Sequence, residues 1–207
     1  MEEKSHSITL FGDGEDIIFI PTSREEESEI AGLVKKPCRI AVIDNVDWNL
    51  ELTPWQARAA FGKEDFGGGA ESFLSELVNI AGRLDGRKFI AGYSLAGLFA
   101  LWSVTKTDVF IGAASVSGSL WFDGFTEYFI NSTLNTERIY LSLGDRESRT
   151  KDKRLATVGE CTDRIFENIR DRGVKTIYEQ NPGGHFNEPA KRMAKSIEWL
   201  IGGKKNV

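Results

Sequence analysis

Short apolar runs, rich in β-branched and aromatic residues, alternate along this chain with amphipathic stretches, and that alternation limits the fold more than any other feature. The runs lie at 7–10, 17–20, 39–43, 88–91, 110–116, 138–143 and 174–179. Between them the spacing predicts helices over 23–33, 70–83, 95–104, 155–172 and 189–201. In the second of these, Phe73, Leu74, Leu77, Val78 and Ala81 recur every three or four residues and so share one face. Strands joined by helices imply βαβ units, hence an α/β protein with one mostly parallel sheet and helices on both faces. A length of 207 residues fits a single domain over 1–207, and no repeat, low-complexity tract or linker divides it. Ligands of such sheets sit beyond the carboxyl ends of the strands. The long stretches 44–69 and 117–136 both follow strands and are expected to hang over that edge.

Composition removes several function classes. The net charge of −5, without a concentrated Lys/Arg stripe, argues against a nucleic-acid partner. No apolar run approaches the ~18 residues of a membrane span, and the opening MEEKSHS lacks the apolar core of a secretion signal. Cys38 and Cys161 are too few for a disulfide framework or a zinc cluster and read as small buried apolar residues. The expectation is a cytoplasmic protein with no membrane partner, no metal and no organic cofactor. Gly67-Gly68-Gly69 lacks the Lys-Ser/Thr that a phosphate loop needs, and Gly12-x-Gly14 precedes its strand rather than following it. The basic run Arg149, Lys151, Lys153, Arg154 reads as a solvated face. Oligomeric state has no signature here.

The strongest local signal is Lys88-Phe89-Ile90-Ala91-Gly92-Tyr93-Ser94-Leu95-Ala96-Gly97, a strand, then Gly-x-Ser-x-Ala-Gly, then a helix. A serine in a sharp turn between strand and helix needs small neighbours two residues to either side, and Gly92 and Ala96 are small. The helix starting at Leu95 would point backbone N–H groups at a developing oxyanion. The plainer alternative is a tight turn whose serine only caps the helix.

A serine hydroxyl needs a neighbouring base to attack at neutral pH. Of the two histidines, His185 lies in Gln180-Asn181-Pro182-Gly183-Gly184-His185-Phe186, directly after the last strand and therefore at the same sheet edge as Ser94. His6 precedes the first strand and reads as frayed and solvated. A carboxylate to fix the imidazole should follow the strand 138–143, where Asp145 and Glu147 compete. Glu147 is favoured, because three residues past Gly144 give its side chain room to turn back. The expected oxyanion donors are the N–H of Leu95 and one from Thr22 or Ser23, since Pro21 has none. Trp48, Trp55, Trp121 and Phe122, on the two long loops, could wall a substrate site. Trp102 and Trp199 lie on helices and read as packing.

With these residues in place, the chain resembles the esterase group of α/β-hydrolases that includes enterochelin-esterase-like and S-formylglutathione-hydrolase-like proteins. The resemblance is carried by Leu52-Thr53-Pro54-Trp55, by Phe66-Gly67-Gly68-Gly69-Ala70, by Gly92–Gly97, and by Ser115-Val116-Ser117-Gly118-Ser119-Leu120-Trp121, with Gly118 where proline is usual. It implies an α/β-hydrolase fold, short at the amino terminus, with Ser94 as nucleophile, His185 as base and Glu147 at the acid position. The order serine, acid, histidine is also that fold's order. Trp48 falls near where the group often has arginine, so the resemblance does not assign the substrate. It implies a serine hydrolase acting on a small carboxylic or thio ester. The alternatives are a non-catalytic binding domain on the same scaffold, or an acyltransferase or peptidase using the same three residues.

Overall fold

The computed structural model describes residues 6–22, 24–60 and 62–202. In chain order the elements are β1 (Ser7–Phe11), β2 (Asp16–Pro21), α1 (Arg24–Leu33), β3 (Arg39–Asp44), α2 (Trp48–Glu51), β4 (Gln56–Ala57), β5 (Phe66–Gly67), α3 (Ala70–Ala81), β6 (Arg87–Tyr93), α4 (Leu95–Lys106), β7 (Gly112–Val116), α5 (Phe125–Asn131), β8 (Arg138–Gly144), α6 (Val158–Asp171), β9 (Lys175–Asn181) and α7 (Pro189–Ile201). The main sheet has 7 strands in the order β1-β3-β2-β6-β7-β8-β9, and β4 pairs with β5 in a separate ribbon. All neighbours in the main sheet run parallel except β1, which is antiparallel to β3.

The side-chain alternation of the strands builds two cores. Ile17 and Phe19 of β2, Ala41 and Ile43 of β3, Ile90 of β6 and Ile139 and Leu141 of β8 face one side, with α3, α4, α5 and α6. Their neighbours Ile18, Ile20, Ile40, Val42, Phe89, Ala91 and Tyr140 face the other, with α1 and α7. A period of two on strands buried on both faces explains why these runs read as continuously apolar.

The strand order reverses between β2 and β6. The chain moves outward from β2 to β3, then returns to place β6 on the opposite side of β2 and continues to β9. The crevice beyond the strand ends at that reversal is where open α/β sheets bind ligands. Ser94 follows β6 there. The loop 44–69 is not irregular throughout, as it holds α2 and the β4–β5 ribbon, and 117–136 holds α5. Elements of four and seven residues show too little periodicity to be read from sequence. Among the described residues, no helix is long and apolar enough to cross a membrane.

Two expectations fail in the body of the fold. Cys38 is buried, and burial first, then Asp16 and Glu198, pushes its thiol up to about 11, but Cys161 is only half-buried against Thr157. His6 is not solvated: its side chain is 4% exposed and lies against the ring of Phe73 at 4.8 Å. Nε2 meets Glu51 at 3.1 Å and Nδ1 meets Glu76 at 2.7 Å. These partners stand 45 and 70 residues away, which no local pattern encodes.

Burial opposes protonation of His6, but the hydrogen bonds and charges of the two glutamates outweigh it and raise its pKa above the ordinary 6.5. A raised folded-state value gives stability that is complete below about pH 6.5 and is lost as pH climbs through the folded value. His6→Gln is therefore expected to cost roughly 2 kcal/mol below pH 6.5 in denaturant unfolding, with the gap to wild type closing at higher pH. A gap independent of pH would show that the protonated ring contributes nothing.

Candidate active site

The turn after β6 is built by steric demand. A Cβ on Gly92 would stand 2.2 Å from the backbone carbonyl of Ala96, so glycine alone fits there. Ser94 adopts φ 57°, ψ −120°, a conformation that costs a non-glycine residue about 1–3 kcal/mol. It occupies the N-cap position of α4, yet its side chain makes no cap hydrogen bond. The hydroxyl is turned outward instead. Gly92→Ala is expected to cost about 3 kcal/mol through overpacking. A denaturant midpoint equal to that of wild type would show that the turn relaxes freely.

Ser94 Oγ lies 3.1 Å from His185 Nε2, and His185 Nδ1 lies 2.8 Å from Glu147 Oε2. Glu147 is buried at the end of β8, where Glu147 N–H donates to the Gly144 carbonyl and folds the loop back. Its Oε1 accepts from Gly144 N–H at 2.7 Å, from Ser117 Oγ at 2.7 Å and from Arg192 Nη1 at 3.2 Å. Burial works against ionisation, but the hydrogen bond from His185, then those from Gly144 and Ser117, hold the carboxyl below its ordinary range. An ionised carboxylate only accepts, so His185 Nδ1 is the donor and Nε2 of the neutral ring is free to accept from Ser94. With the Ser94 proton committed to Nε2, Ser119 Oγ at 3.3 Å donates to Ser94 Oγ.

The histidine loop is held from several sides. Tyr93 donates to the His185 carbonyl, its ring 5.3 Å from the imidazole, and Phe186 packs edge-on against the other side. Asp145 does not join this cluster. Its Oδ1 accepts from Gly183 N–H at 2.8 Å, which fixes the loop, and the side chain is half-exposed beside Arg146.

The serine opens into a cavity of about 720 Å³. Trp48 and Asn49 of α2, Trp121, Leu155 and Val158, and Phe186, which is 89% exposed, form much of its wall, with Arg146 and Arg149 also lining it. Trp55 and Phe122 do not line it. Trp55 packs on Phe122 and Tyr128 and donates from its indole to the Asp123 carbonyl, while Phe122 is buried against Phe66. These two pin the loops to the core. Of the basic run, Arg154 is not solvated: it pairs with Asp123 at 2.9 Å and stacks over Trp121 at 5.1 Å. Trp102 is buried and Trp199 packs on Tyr140.

Leu95 begins α4 beside Ser94, where first-turn N–H groups have no partner within the helix. Thr22 is not placed to match it. Its N–H donates to the Ile43 carbonyl at 3.3 Å, extending the β2–β3 pairing, and it lines a separate small cavity behind Trp48. Ser23 lies outside the described residues. Among the described residues, no group of three or more His, Cys, Asp or Glu could hold a metal ion. Sequence reasoning missed Ser117, Tyr93 and Arg192. The one visible sign of Arg192 was a charge beside the apolar stripe Ala190, Met193, Ala194 and Ile197, a pattern that surface arginines share.

This architecture, a parallel sheet with the serine turn at its order reversal, is the α/β-hydrolase fold. Solved structures that share it include siderophore hydrolases, an acyl-protein thioesterase and a ferulic acid esterase. The siderophore hydrolase EstA from Aspergillus nidulans superposes with a TM-score of 0.76 at 15% identity, covering 95% of this chain and 90% of that one. An IroE-like serine hydrolase from Shewanella oneidensis superposes at 0.75 and 15% identity, covering 95% and 75%. In sequence, the chain is 26% identical over 172 residues to the uncharacterized protein YbbA of Bacillus subtilis, covering 73% of this chain and 68% of that protein. No family model matches the chain.

Proposed function

We propose that the protein is a serine hydrolase that cleaves a small carboxylic or thio ester through an acyl-enzyme. The single observation carrying this reading is the continuous hydrogen-bonded chain from Ser94 through His185 to Glu147, opening into the cavity. Ser94 attacks the carbonyl while His185 Nε2 takes its proton, and Glu147 stabilises the imidazolium through Nδ1. The N–H of Leu95 is offered to the tetrahedral oxyanion. His185 then gives its proton to the leaving alcohol or thiol, and water, deprotonated by the same nitrogen, releases the acid. Two siderophore hydrolases and an IroE-like serine hydrolase share this fold, which supports the reaction class. Tryptophan and leucine in the wall favour an acyl or alcohol group with apolar surface.

The test is covalent labelling. Incubation with an alkyl fluorophosphonate is expected to place one adduct on the peptide bearing Ser94, read by mass spectrometry. A folded protein that takes no adduct, or takes it elsewhere, would overturn this reading.

A further inference from the structure

The positive charge nearest the acid has no part in the mechanism above. Arg192 projects from α7 and is 2% exposed. Its Nη1 donates to Ser117 Oγ at 3.0 Å and to Glu147 Oε1 at 3.2 Å. Its Nη2 donates to the carbonyls of Pro182 at 3.1 Å and Gly184 at 3.2 Å. One planar guanidinium therefore grips the carboxylate with one nitrogen and the backbone just before His185 with the other.

That division is informative. Burying a guanidinium carries a large desolvation cost, recovered only where its donors are well matched. Glu147 Oε1 already receives Gly144 N–H and Ser117 Oγ at 2.7 Å each, so Arg192 is its longest partner and not the one that satisfies it. On the loop side, Gly183 at φ 104° and Glu188 at φ 49° bend the backbone. Among the described residues, the only hydrogen bond to the Pro182 carbonyl comes from Arg192, which shares the Gly184 carbonyl with Asn187 N–H. A rigid fork joining two such elements sets their separation, and here that separation is the distance from Glu147 to the imidazole.

We infer that Arg192 is a positioning residue that locks the His185 loop onto Glu147, so that Nε2 meets Ser94 in attacking geometry. The inference rests on the hydrolase reading above. A displacement of about 1 Å in such a group costs on the order of 10²-fold in rate. Arg192 does not face the cavity and so leaves substrate binding alone.

The experiment compares wild type with Arg192→Met, Arg192→Lys and Arg192→Ala on p-nitrophenyl butyrate, with circular dichroism and thermal melting to confirm folding. Arg192→Met is expected to lose about 100-fold in kcat with KM within about twofold. Arg192→Lys, which keeps the charge but cannot fork, is expected to fall between. Added ethylguanidinium should restore part of the kcat of Arg192→Ala, whereas ethylammonium should not, a distinction that a general packing role would not make. A folded Arg192→Met with wild-type kcat overturns the inference, as does a loss confined to KM. If Arg192→Met fails to fold, Arg192→Lys at full kcat does the same. Wild type that neither hydrolyses the ester nor takes the fluorophosphonate overturns the hydrolase reading instead, and the inference with it.

Discussion

Ser94→Ala is expected to lower kcat/KM on p-nitrophenyl esters by about 10⁴-fold or more, with the fold intact. The substitution removes one oxygen and leaves the turn, since alanine keeps the Cβ that φ 57° already accommodates. The nearby hydroxyl makes this a sharp test. Ser119 Oγ stands 3.3 Å from Ser94 Oγ but donates toward it, and among the hydrogen bonds of His185 only Ser94 occupies Nε2. Ser119→Ala should therefore cost no more than about tenfold, the scale of one lost hydrogen bond. If Ser94→Ala keeps its activity while Ser119→Ala loses it, the nucleophile has been misassigned. If neither variant changes an activity that wild type shows, the chemistry lies elsewhere.

The second large effect separates two carboxylates that lie two residues apart. Glu147→Gln is expected to lower kcat by about 10³–10⁴-fold, the size seen when a triad acid becomes an amide. The reason is tautomeric. Three donors converge on Oε1, so the amide oxygen must sit there and its NH₂ must face His185. Nδ1 then has to accept, the ring proton moves to Nε2, and that nitrogen can no longer take the proton of Ser94. Asp145→Asn should stay within about twofold of wild type, because Asn Oδ1 can still accept from Gly183 N–H. Equal and small losses from both variants would leave a Ser–His pair with no acid.

What the sequence revealed about this site follows from the range of each cause. The turn at Ser94 is legible because its requirement is steric and local: small residues at Gly92 and Ala96, a strand before and a helix after. The position of His185 is legible one level up, because consecutive parallel strands deliver their following loops to one edge. The choice between Asp145 and Glu147 was legible in part, since the spacing past Gly144 already favoured Glu147. It depends on one backbone bond, Glu147 N–H to Gly144 carbonyl, and on the close approach of Gly183 to Gly144, where a Cβ would lie 2.4 Å from the Gly183 carbonyl. The direction of β1 was hidden because side-chain alternation is the same in both directions. Trp55 and Phe122 read as site residues because an aromatic on a long loop looks the same whether it faces ligand or core. Arg192 and His6 were misread or missed for a related reason. Their partners are 45 or more residues away in all but the backbone contacts of Arg192, so burial had to be seen rather than inferred.

The order in which the site's groups leave the sheet has a consequence for synthesis. Ser94 follows β6, Ser117 follows β7, Glu147 follows β8, His185 follows β9, and Arg192 comes on the helix after that. A chain emerging from the ribosome folds from its amino-terminal side. It can form the serine turn early, but it holds there an ordinary alcohol with nothing to take its proton. On the proposed hydrolase reading, reactivity would arrive last, when β9 adds to the sheet edge and α7 packs on its face, so that the nascent chain stays inert until it is assembled.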